Sequence, residues 1–221
     1  MDILPYLAVP AGAGLLLLAA RTWSASVRRK DARAAYFRDA ASLFDTATSR
    51  IEPSGFARMT GRRGSDAFDL QALADSLTFR KLPALWVMVT LPAPMPVRAT
   101  LDIMARPGGL ETFSHFHSLP HTLPALPGLP EGTVIRSDDG RNVPAEDRIV
   151  PHLGLFSDPR VKELVISPKG LRVVILAEEA ERGRYLIFRD AELGAVPLPR
   201  DRLQPVIETL RALRDSLKEA A

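Results

Sequence analysis

Residues Ile3 to Ala20 read ILPYLAVPAGAGLLLLAA, eighteen residues without a charge. No other stretch restricts the chain so strongly, because a run like this must be hidden from water. As a helix it rises about 1.5 Å per residue, roughly 27 Å in all, enough for a thin hydrocarbon core. Pro5, Pro10, Gly12 and Gly14 weaken a helix in water but are tolerated in lipid. Tyr6 and Trp23 stand near its ends, where amphipathic rings favour the headgroup layer. A cleaved leader carries positive charge before its apolar core. Here the charges follow it, at Arg21, Arg28, Arg29, Lys30 and Arg33. The run therefore predicts a transmembrane anchor over 1–23, a juxtamembrane helix over 24–52 and a domain over 53–221. By the positive-inside rule the N-terminus lies outside and the domain is cytoplasmic. An arginine-, alanine- and proline-rich composition adds the inner membrane of a bacterium as its place. Arg21, Arg28, Arg29, Lys30 and Arg33 would face anionic lipid, at about 1 kcal/mol each. The membrane is thus the first expected partner.

Charge limits the rest. Residues 1–50 hold seven Lys/Arg against four Asp/Glu, and residues 51–221 hold 22 of each. A body with no basic excess lacks the concentrated face that phosphate backbones require, so no nucleic-acid partner is expected. The chain has no cysteine, which removes disulfides, thiolate nucleophiles and thiolate metal sites.

In DARAAYFRDAASLFDTAT (31–48), Phe37, Ala41, Phe44 and Thr48 recur at helical spacing, and Pro53-Ser-Gly55 closes the segment. GFARMTG and SDAFDLQ flank the turn Gly61-Arg-Arg-Gly64 as a hairpin, and SLTFRK (76–81) continues the extended region. ALWVMVTL (84–91) is the most apolar run of the body and reads as a central strand. VRATLDIMAR alternates, with Val97, Ala99, Leu101 and Ile103 inward and Arg98, Thr100 and Asp102 outward. From Pro107 to Pro130, five prolines interleave with Phe113, Phe116, Leu119, Leu123, Leu126 and Leu129, which predicts an ordered loop pinned by its apolar side chains. PAEDRIVPHLGLF (144–156) suits a short helix that begins at Pro144 and is broken or kinked at Pro151. KELVISPKGLRVVILA is a hairpin turning at Pro168 and Gly170, and RYLIFRDAEL is a further strand candidate. Leu203, Ile207, Leu210, Leu213 and Leu217 form one stripe of a C-terminal amphipathic helix. Asp201 with Gln204 reads as its N-terminal cap. Strands without regularly interspersed helices, then a terminal helix, indicate an α+β domain with a mainly antiparallel sheet.

Chemistry is sparsely signalled. HFHSLPH places His115, His117 and His121 within seven residues. In an extended segment His115 and His117 share a side, and a turn at Pro120 could fold His121 back to complete a zinc site. That gives a membrane-tethered, metal-dependent hydrolase as the alternative function. Nucleotide-binding glycine loops and the G-x-S-x-G elbow are missing from the sequence. The reading preferred is a non-catalytic binding or assembly module without a cofactor. Its protein partner would engage the C-terminal helix or the Pro/Leu-rich loop.

Overall fold

A computed structural model describes residues 4–76, 82–109, 111–188 and 191–219, with 4–11, 13 and 188 described by backbone alone. Residues 77–81, within the SLTFRK stretch, and residues 1–3 of the N-terminal run lie outside the described residues.

The first helix, α1 (Leu4–Ala34), is followed by a 3-10 turn (Ala40–Leu43). Nine strands then form one sheet: β1 (Thr46–Ile51), β2 (Ala57–Arg63), β3 (Asp66–Asp75), β4 (Ala84–Leu91), β5 (Leu101–Ala105), β6 (His121–Leu123), β7 (Thr133–Ser137), β8 (Val161–Ser167) and β9 (Gly170–Glu179). Their spatial order is β1-β2-β3-β4-β9-β8-β5-β7-β6, and every neighbouring pair is antiparallel. Three further helices are α2 (Glu146–Ile149), α3 (Arg182–Phe188) and α4 (Arg200–Lys218), with a long 3-10 segment (Val150–Ser157) after α2.

Period-two alternation gives the sheet its two faces. On one face Phe68, Leu70, Val87, Val89, Leu164, Ile166, Leu171 and Val173 meet Leu203, Ile207, Leu210, Leu213 and Leu217 of α4 in the main core. The leucine stripe of α4 is therefore buried on the sheet. Asp66, at the start of β3, holds α4 in place through Arg211 (2.9 Å) and Arg214. The opposite face carries a smaller cluster of Met104, Phe113, Phe116 and Val174, with Leu73, Trp86, Met88 and Val134 packed against it. Phe113 and Phe116 belong to the proline-rich loop, which folds back over this second face. Leu123, Leu126 and Leu129 pack, half-buried, against the main core, so this loop is pinned by its apolar side chains.

The β8–β9 hairpin turns where Pro168 and Gly170 place it. Gly170 has φ +144°, and a Cβ there would lie 2.3 Å from the carbonyl oxygen of Leu91. Both the left-handed backbone and the close approach of β4 require glycine.

Several expectations are corrected. Among the described residues no helix is long and apolar enough to cross a membrane. The transmembrane helix is overturned, and with it the single-pass placement in a bacterial inner membrane, the outside N-terminus and the cytoplasmic assignment of the domain. The reason is length: where side chains are described, the continuous uncharged stretch runs only from Gly14 to Ala20 before Arg21 closes it. The helical spacing over 31–48 is followed by an α-helix only as far as Ala34. Helix α1 ends at Ala34, and Tyr36, Phe37, Ala40, Leu43 and Phe44 enter the core from a turn and a 3-10 segment before β1 begins at Thr46. RYLIF forms α3 in place of a strand. Helix α4 starts after Pro199 with no side-chain cap, so the Asp201–Gln204 box is not used.

Candidate functional site

The second face of the sheet holds the ionisable groups that the apolar core cannot. Asp102 on β5, Glu163 on β8 and Arg172 on β9 all project to this face, and the loop at 107–119 closes over them. Glu163 is fully buried. One of its carboxylate oxygens accepts from Arg172 at 3.0 Å, and the other accepts from the Ser114 hydroxyl of the loop. Asp102 is also buried, against the expectation of an outward, solvated position, because the loop covers what alternation alone would expose. Two carboxylates here share one arginine. Burial, then the neighbouring Glu163 charge, pushes Asp102 up to about 8. Burial likewise raises Glu163, opposed by Arg172 and Ser114.

A second polar group lies at the loop's entry. Lys162 is nearly buried and donates to the carbonyls of Ala105 (2.9 Å) and Arg106 (2.6 Å). It pairs with Glu111 at 3.1 Å. Glu111 also accepts from the Gly108 N–H at 2.5 Å and lies 3.1 Å from His117 Nε2. Burial raises the pKa of Glu111, but the Gly108, His117 and Lys162 donors outweigh it and pull the group down to about 2. Arg106 itself has φ +48°, an uncommon conformation for a residue with a Cβ, and its guanidinium donates to Pro159 O at 2.7 Å.

Beside this group a cleft of about 350 Å³ opens. Trp86 and Phe113 form one wall, their rings tilted with centroids 5.1 Å apart. Asp75, Arg106, Arg160, Lys162 and Glu179 supply its polar rim, and Leu82, Pro159 and Leu176 complete the apolar lining. Two polar atoms of these walls, Trp86 Nε1 and Asp75 Oδ1, are buried without a hydrogen-bond partner among the described residues. Leaving one such group unpaired costs about 1–3 kcal/mol. Asp102, Glu163 and Ser114 do not line the cleft.

The histidines do not converge. Among the described residues no group of three or more His, Asp or Glu is placed to hold a metal ion. A 3-10 turn at Phe116–Ser118 breaks the extended geometry that would align His115 with His117. His117 is occupied by Glu111, and His121 departs on β6 opposite Ser137. Zinc chemistry through this segment has no support in the geometry. Of the basic cluster, Arg21, Arg28, Arg29 and Lys30 are exposed. Arg33 instead braces α1, donating to Leu193 O at 3.3 Å and lying over the Phe56 ring at 5.1 Å.

Sequence reasoning misses Asp75, Trp86, Lys162 and Glu163. Asp75 and Trp86 are brought together only by the β3–β4 register, which sets Leu73 opposite Trp86 and Asp75 opposite Ala84. The available signal is Lys162-Glu163, two charges opening an otherwise apolar strand.

No family model matches the chain, and no curated protein matches it. Among solved structures, the crystal structure of the mycobacterial trehalose monomycolate transport factor A, TtfA, is a weak structural neighbour. It has a TM-score of 0.35 and 10% identity, covering 86% of this chain and 94% of that one. At that level the similarity carries no argument about function.

Proposed function

We propose that this protein is a non-catalytic binding module whose ligand seats in the Trp86–Asp75 cleft. The observation that carries the reading is the pair of unmade hydrogen bonds in the cleft walls, one donor and one acceptor. Both atoms are closed to water in the resting cleft. A ligand that shifts Phe113 from Trp86 reaches them, and recovers what their burial costs. The fitting head group donates to Asp75 and accepts from the Trp86 indole, as a carboxamide or a hydroxyl does. Its apolar body lies on Trp86, Phe113 and Leu176. The Asp102–Glu163 pair stands behind the loop and does not line this cleft, which favours binding over catalysis.

The test uses four six-carbon probes that differ only in the head: hexanamide, hexan-1-ol, hexylammonium and hexanoate. Trp86 emission is read in a Trp23→Phe background, since the chain has two tryptophans. Calorimetry follows binding where Trp86 itself is changed. Hexanamide or hexan-1-ol is expected to saturate, with the two singly functional heads about tenfold weaker. Asp75→Ala and Trp86→Phe are each expected to cost about tenfold in affinity for the preferred probe. Equal binding of all four heads, or none, overturns the reading.

A further inference from the structure

The two ends of the sheet are guarded very differently. At one end β6 is three residues long and stands between Pro120 and Pro124, which cannot donate to a further strand. At the other end β1 is six residues long, and all six are exposed. It contains no proline and one charge, Arg50, which is drawn aside by Glu52 at 2.8 Å. Neither a bulge nor a covering element appears along it among the described residues. Natural sheets rarely leave an edge of this kind open.

The register shows what the edge offers. The Glu52 N–H donates to Phe56 O at 2.9 Å, within the same diagonal that pairs Thr48 with Thr60. Hydrogen-bonded pairs alternate along an antiparallel ladder. Thr46, Thr48 and Arg50 therefore bond to β2, while Ala47, Ser49 and Ile51 turn their N–H and C=O groups outward. The side chains of these three lie on the helix-covered face, opposite Gly61, Met59 and Ala57.

We infer that β1 is a self-association edge, on which the β1 strand of a second copy adds antiparallel about a two-fold axis through Ser49. This axis sets Ser49 against Ser49 and Ala47 against Ile51 of the other copy. All three outward positions then pair, each pair exchanging two hydrogen bonds. The same register covers the exposed Ile51 side chain with alanine, and sets Arg50 against Thr48 so that no like charges meet. A one-residue slip would put side chains on the wrong face. Self-complementarity of this kind is what an isologous contact requires, and it selects a second copy over an unrelated extended peptide. One strand pair buries little area, so the association is weak and concentration-dependent.

The absence of cysteine makes the register directly testable. Opposed residues in a hydrogen-bonded antiparallel pair have Cα atoms about 5.5 Å apart, within disulfide range. Ser49→Cys in the full chain is expected to give a disulfide-linked dimer under mild oxidation, and Ala47→Cys alone is not. Sedimentation equilibrium of the wild type is expected to show a dimer that grows with concentration. Ser49→Lys, which sets two ammonium groups against each other, is expected to abolish it with an unchanged Tm. Ser49→Pro removes only an outward N–H and is expected to do the same. A wild type that stays monomeric at every concentration overturns the inference. Self-association that survives both Ser49→Lys and Ser49→Pro overturns it too, as does equal cross-linking at positions 47 and 49.

Discussion

Asp102→Asn is expected to stabilise the protein by about 3 kcal/mol near pH 7 and to flatten much of its stability change between about pH 4 and pH 8. Asp102 is buried and titrates near 8 in the fold, against about 3.9 for an unfolded aspartate. The folded group therefore keeps a proton through a window in which the unfolded chain has lost it. A native state that binds more protons loses stability as pH rises, so stability is greatest at the acid end of this window and reaches its floor above about 8. Roughly three units separate the unfolded value from pH 7, or about 4 kcal/mol; the amide hydrogens that Asn leaves unpaired return about 1. Glu163 is raised too, so the variant retains a smaller slope of the same sign. Glu111, held near 2, adds the opposite dependence, losing its contribution as pH falls from about 4 toward 2. Thermal unfolding of both proteins at pH values of about 5, 7 and 9 decides the matter. A wild-type Tm that does not fall from about 5 to 9, or an Asn variant less stable than wild type at about 9, refutes this account of the pair.

The same residue shows how far a sequence can be read. Alternation in VRATLDIMAR places Asp102 on the face opposite Ile103, and that placement is right. What alternation cannot show is that a loop ten residues onward returns to cover that face. Burial on one face is a local pattern, whereas burial on the other depends on a non-local contact through Phe113, Ser114 and Phe116. The β4 strand, the β8–β9 hairpin and the stripe of α4 were legible because each carries its own periodicity and turn residues. RYLIF was ambiguous because a short run of β-formers fits a surface helix equally well. The N-terminal run misleads for a different reason: eighteen uncharged residues satisfy a length rule, whereas the continuous stretch with described side chains, Gly14 to Ala20, is far shorter than a span. The cleft was illegible because its two unpartnered atoms sit on separate strands, and only the register joins them.

Phe116→Ala is expected to cost about 3–4 kcal/mol and to loosen the loop before the sheet. Its ring is 1% exposed and packs with Met104, Phe113 and Val174. The Arg136 guanidinium lies 5.5 Å from its centre, and Arg136 donates to the carbonyls of His117 (3.2 Å) and Leu119 (3.0 Å). The loop is thus fastened at three places: the Phe116 ring with Arg136, Ser114 on Glu163, and Glu111 on Lys162. Deleting the ring removes the first and leaves Arg136 with less to stack on, while the main core on the other face is untouched. Loss of one fastening should therefore appear first as local opening and only then as a lower global stability. In hydrogen exchange, the amides of Phe116, Ser118 and Leu119 are expected to lose protection, with those of β4 and β9 unchanged. Trp86 emission in the Trp23→Phe background should move to longer wavelength as Phe113 lifts from its ring. If the loop and the central strands lose protection together, the loop is an integral part of the sheet's cooperative unit. Ligand entry by displacement of Phe113 would then demand opening of the whole domain, and the cleft could not serve as the binding site proposed for it.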